Sequence, residues 1–134
     1  MAGDLSNYAE GKLYDHLTGR AAFTIPPGCF LALFTALTDA EAGTGTEVAV
    51  AGYARQSCAM GAMTPGTDTP GSNTGTLTFG PLTGGGGTAT HAALFDAVAA
   101  GNPLTAIKAL AVARTWLAGD SIVLNPGDAT LALT

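Results

Sequence analysis

The sequence predicts a mainly β, single-domain fold: an antiparallel β-sandwich or jelly roll with one N-terminal α-helix. Three observations predict it. The apolar period is 3.6 near the N-terminus and changes to 2 after Pro26-Pro27-Gly28. Turn words such as AGD and NPGD then recur between short strand-like runs. The chain has 134 residues, which suits one domain spanning 1–134, with the helix at 4–18 and the sandwich at 28–134.

In DLSNYAEGKLYDHLTG, Leu5, Ala9, Leu13 and Leu17 fall at i, i+4 steps and make one apolar stripe. Asp4 or Ser6 can cap its start, and Asp4 and Glu10 suit the positive end of the dipole. Gly19 suits the C′ position, with Arg20 beside the negative end. Gly11 weakens the helix by about 1 kcal/mol, so this helix is expected to depend on packing.

CFLALFTAL is the expected central strand, buried on both faces. Cys29, Leu31 and Leu33 point one way; Phe30, Ala32 and Phe34 point the other. TDAEAGTGT is expected as a loop, and YARQSCAMGAM as a strand bulged at Gly61. The Pro/Gly/Ser/Thr stretch 64–75 is expected as a long loop and TLTFG as a strand. LTGGGG is then a loop, TATHAALFDA a strand, AAGNP a turn and LTAIKAL a strand. From Thr115 the pattern is strand, turn, strand, turn, strand. The last strand runs to Thr134 and ties the C-terminus into a sheet.

Hydrophobic residues make up 47%, but charged residues only 11%, against roughly 25% in an average soluble domain. A skin so poor in charge predicts that partners cover much of it. Net charge is −5, and the five basic residues, Lys12, Arg20, Arg55, Lys108 and Arg114, form no stripe, which argues against nucleic acid. No apolar run reaches the ~18 residues of a membrane span. MAGDLSNYAEG carries neither the basic nor the apolar region of a signal peptide, which predicts a product made in a cytoplasm. For such a product Cys29 and Cys58 read as free, buried thiols, with a disulfide between them left open.

The residues predict no catalytic, cofactor-binding or metal-ligating site, and no enzyme. TGGGGT lacks the Lys-Ser/Thr of a P-loop and precedes a strand, not a helix. GTGTEVAVAG likewise precedes a strand pattern and fails the dinucleotide fingerprint. His16, beside Asp15, and His91, with Asp96 five residues on and so on the opposite face, find no third ligand. The carboxylates sit mostly in turns: Asp39, Glu41, Asp68, Asp120 and Asp128. Cys29 lies in the most apolar strand, which quiets a thiol, and no serine sits in a GxSxG elbow. Trp116, the lone tryptophan, reads as core, which leaves little for a carbohydrate-binding module. In GYARQ, Tyr53 and Arg55 share a face. Arg55 is expected along the tyrosine ring or against Glu47, with a neighbouring subunit as the functional alternative.

Residues 4–56, from DLSNYAEGKLYDHLTG through CFLALFT to GTEVAVAGYARQ, resemble a family of small bacteriophage virion proteins. Its members open on LSNYLENKLLDHLL-type helices and continue VYLALFT, PTD and GTEVSGGGYARQ. Their later WGTVTHFGIFDA…GGNLL segment is similar to GTATHAALFDAVAAGNPL at 87–104. This chain departs in having VAVAGYARQ, in lacking the aromatic before GTATH, and in loop 64–75. Members are usually labelled tail-fibre or minor virion proteins, some of them capsid decoration. The resemblance implies a non-enzymatic structural protein of a phage particle, assembled in the host cytoplasm. The leading expectation is a capsid decoration or cement protein against the major capsid protein, as a homo-oligomer anchored by its N-terminal helix. The alternative is a tail component: a fibre, its adaptor or a baseplate subunit.

Overall fold

A computed structural model describes residues 4–66 and 70–132. The described residues form one helix, α1 (Asn7–Leu17), and nine strands. These are β1 (Phe30–Asp39), β2 (Thr44–Glu47), β3 (Gln56–Ser57), β4 (Gly71–Ser72) and β5 (Leu77–Leu82), followed by β6 (Gly87–Phe95), β7 (Lys108–Trp116), β8 (Asp120–Leu124) and β9 (Thr130–Leu131). All pairings are antiparallel. The main sheet runs β2-β1-β6-β7, with β3 also on β1; β5-β8 and β4-β9 are separate two-stranded ladders.

β1 is central, as its unbroken apolar run predicts, and Leu31 to Phe34 are all buried. Leu31 and Leu33 face Leu77, Phe79 and Leu82 of β5 and Ile122 and Leu124 of β8. This is the sandwich core, and each such side chain contributes about 1.5–3 kcal/mol by leaving water. Ala32 and Phe34 face the other way and pack with Ala93, Phe95 and Ile107. Trp116 closes the larger core, its indole N–H bonded to the Gly85 carbonyl at 2.7 Å.

Four expectations need correction. The loop expected over residues 38–46 is a hairpin. Asp39 Oδ1 accepts from the Ala42 N–H at 3.1 Å, Gly43 turns at φ +71°, and β2 follows. β2 is a Thr/Gly edge strand with almost no buried side chain, so it carried no apolar signal.

The strand expected from Tyr53 to Met63 is almost absent. β2 and β3 both pair with the edge of β1 that faces away from β6, so the chain between them must leave the sheet. Only Gln56–Ser57 and a bridge from Met60 to Asn73 remain, and the Gly61 N–H bonds the Ser72 carbonyl with no bulge.

Residues 64–75 are not all loop, since β4 lies within them and pairs with β9. The two strands expected at 104–110 and from Thr115 are one strand, β7. Residues 104–107 instead cross the sheet end, with Ala106 bonding Asp4 and Ile107 bonding Ala40. The β9 ladder ends at Leu131; the expected run to Thr134 and the turn carboxylate Asp68 lie outside the described residues.

Candidate interaction surface

The GYARQ stretch folds inward. Arg55 donates from Nε and Nη2 to the two carboxylate oxygens of Glu47, each at 2.8 Å. Its Nη1 donates to the carbonyls of Ala97 and Ala100 at 3.0 and 2.7 Å. The guanidinium lies over the ring of Phe95, not that of Tyr53. The Glu47 bonds, opposed by burial, hold the Arg55 pKa above its ordinary value. The Tyr53 hydroxyl donates to Glu47 Oε1 and accepts from the Leu33 N–H, both at 2.9 Å. Burial pushes that phenol above its usual range.

The expected Arg55–Glu47 pair is therefore present and buried. The alternative of Arg55 reaching a neighbouring subunit is not, because the side chain is buried and all three of its guanidinium nitrogens bond inside the chain. Phe95 and the two alanine carbonyls, some forty residues further on, carried no signal in the sequence. Ala100 adopts φ +52°, an uncommon conformation for a non-glycine residue, and the bond from Arg55 helps hold it.

The other candidates are also occupied structurally. His16 Nδ1 accepts from the Phe23 N–H at 3.1 Å, and His91 Nδ1 meets Thr90 Oγ1 at 2.8 Å. Asp96 binds the side chain and backbone of Asn102, which together hold its carboxyl below the usual range. Asp120 and Asp128 accept from the N–H groups of Leu117 and Asn125, as turn aspartates do. Burial raises the pKa of Cys29, and that of Cys58 to about 11. Among the described residues no three His, Cys, Asp or Glu side chains converge, and no helix is long and apolar enough to cross a membrane. A cleft of about 270 Å³ beside β6 and β7 is walled by Leu94, Leu110, Leu124 and Ala129. Its ammonium, Lys108, is already paired with Asp4.

One surface open to a partner is that of α1. Its root is fixed. Ser6, fully buried, caps the helix by accepting from the Ala9 N–H and donates its hydroxyl to the Pro103 carbonyl. The Asn7 N–H bonds the Glu41 carbonyl, and a bridge joins Leu5 to Thr105. Asp4 takes Lys108 Nζ at 2.6 Å and the Ala132 N–H at 2.8 Å, so the start and end of the described chain meet here.

The tip is different. Thr18 caps it, Gly19 follows at φ +73° as expected, and Arg20 returns to Asp15 at 3.0 Å. The Phe23–His16 bond folds the next segment back onto the helix. Yet Tyr14 is 63%, Leu17 74% and Ile25 88% exposed. The apolar stripe is thus divided: Ala9 is buried, Leu5 and Leu13 are half-buried, and Leu17 is open.

A second exposed feature is β7, the edge of the main sheet. Between the pairs Ala89↔Arg114 and His91↔Ala109, β6 has only Thr90, whereas β7 has Leu110, Ala111, Val112 and Ala113. The long bulge turns Val112 outward. Bulges of this kind blunt an open edge against unwanted pairing.

A family model described as podophage GP4 fiber I protein gp80 matches residues 4–132. No curated protein matches the chain.

Proposed function

The chain belongs to the podophage GP4 fiber I protein gp80 family, and on that premise we propose that it is a non-enzymatic building block of the fibre, attached to other virion proteins through the tip of α1. The fibre family favours the tail alternative over the capsid-decoration reading with which the sequence began.

One observation carries the attachment role. The helix is anchored firmly at Ser6 and Asn7, while Tyr14, Leu17 and Ile25 present apolar surface to solvent at its far end. A helix is marginal in water without packing on its apolar face. An apolar stripe left open on a surface poor in charge fits a groove or a sister helix. The rest of the polar chemistry supports a scaffold: Asp39, Asp120 and Asp128 bond turn N–H groups, His16 ties the segment after the helix, and Glu47 and Arg55 hold one another.

The test is assembly of phage carrying Leu17→Asp. Particles are expected to form without this subunit, while the purified variant stays folded and melts within a few degrees of wild type. Normal incorporation of Leu17→Asp would refute the attachment role.

A further inference from the structure

The register of β1 against β3 has a chemical consequence outside the attachment surface. Phe30 stands opposite Ser57 and Leu31 opposite Gln56. Continued by one residue, this register sets Cys29 opposite Cys58, and the Cys58 N–H donates to the Cys29 carbonyl at 2.8 Å. Residues directly opposite in an antiparallel pair share a face, and both cysteines pack at the same end of the larger core. We propose that Cys29 and Cys58 form an oxidisable cross-strand dithiol, which a small disulfide converts to an intramolecular disulfide joining β1 to the segment after β3.

The geometry permits the bond. A hydrogen-bonded antiparallel pair has its Cα atoms about 5.5 Å apart, inside the range of about 4.4–6.8 Å that a disulfide spans. The Cβ atoms, about 5.5 Å apart in such a pair, must close to about 4.5 Å. Little regular sheet holds the segment that has to move: β3 is only Gln56–Ser57, and beyond it stand the Met60–Asn73 bridge and two backbone bonds, Thr74 N–H to the Ala59 carbonyl and Gly61 N–H to the Ser72 carbonyl. The Cys58 thiol must also leave its contact with Met60 Sδ at 3.7 Å.

The order of events follows from burial. Cys29 is half-buried and Cys58 is buried. The Cys29 thiolate attacks one sulfur of the small disulfide, forming a mixed disulfide and expelling one thiolate. The Cys58 thiolate then attacks Cys29 Sγ and expels the second. Both protein protons end on the two released thiols, and the two electrons lost by the cysteines reduce the small disulfide. The product closes the chain from residue 29 to residue 58, around the β1-β2 hairpin and the Glu47–Arg55 clamp.

The experiment incubates the purified full-length protein with oxidised glutathione at about pH 8.5, near the ordinary thiol pKa. It then blocks free thiols and reads intact mass, a non-reducing digest and thermal melting. The expected product is a monomer lighter by two hydrogens, with the Cys29 and Cys58 peptides linked. Its melting temperature should be roughly 5–10 °C higher, reversed by dithiothreitol. Cys58→Ala should stop at glutathione on Cys29, and Cys29→Ser should take up none. A wild-type protein that stops at the mixed disulfide, stays fully reduced, or links only between molecules overturns the proposal, whatever the variants do.

Discussion

The Arg55 guanidinium lies 3.9 Å from the centre of the Phe95 ring while its edge grips Glu47 through two bonds of 2.8 Å. One side chain thus joins the edge strand β2, the last residue of β6 and the loop after it. The charge is buried and each of its three nitrogens is bonded, so its stability depends on every partner staying in place.

Removing one partner is therefore expected to be costly. Glu47→Ala should lower unfolding stability by about 3–5 kcal/mol, because it leaves a buried guanidinium without its counter-charge. Arg55→Ala should cost less than the sum implies when combined with it, since the double variant buries no unpaired charge. Urea denaturation of the two single variants and the double variant measures that coupling.

Gly52 is expected to resist any side chain. It adopts φ +90°, and a Cβ there would collide with the Pro81 carbonyl oxygen on β5. Gly52→Ala should cost about 2–4 kcal/mol, from left-handed strain together with displaced backbone. Gly66→Ala, also at positive φ but in open space, should cost only about 1 kcal/mol. Their midpoints in urea give the comparison.

Asp4 should make stability depend on acid. Burial tends to raise its pKa, but the bonds from Lys108 and the Ala132 N–H outweigh burial and hold it below its ordinary value of 3.8. A carboxyl depressed in the folded state stabilises it above the unfolded pKa and loses that contribution as pH falls through the folded one. Wild type should exceed Asp4→Asn in stability above about pH 4, and the gap should shrink at lower pH. Urea midpoints of both proteins, taken from pH 7 downward, test this.

The tip of α1 should be dispensable for folding. Tyr14→Ser and Leu17→Asp replace exposed side chains and should each shift stability by less than about 1 kcal/mol, the aspartate losing most because it meets the negative end of the helix dipole. Thermal melts of the isolated variants measure that. Ser6→Ala should behave differently and cost about 1–2 kcal/mol. It removes both the helix cap and the bond to the Pro103 carbonyl.

The sequence showed most where burial wrote a period. β1, β6 and α1 lie close to where alternation or helical spacing placed them. The two faces of β1 divide Leu31 and Leu33 from Ala32 and Phe34, as its alternation predicts. Strands that bury little left no such trace: β2 is Thr-Gly-Thr-Glu, and the middle of β7 is alanine and valine on an exposed edge. Glu47 was one of the two partners the sequence offered Arg55; the other, the Tyr53 ring, is not the one the guanidinium covers. Phe95 and the Ala97 and Ala100 carbonyls were not legible, because only the β1-β6 register brings them there. The helix stripe was visible, but its division into a held root and an open tip depends on contacts of Ser6 and Asp4 across the chain.

The central claim is attachment within the fibre through the helix tip, and a density map of the intact phage particle tests it most directly. The account predicts this fold in the fibre or at its base, with Tyr14, Leu17 and Ile25 covered by another virion protein. Finding the subunit arrayed over the capsid lattice, or in the fibre with those three side chains bare, would contradict it.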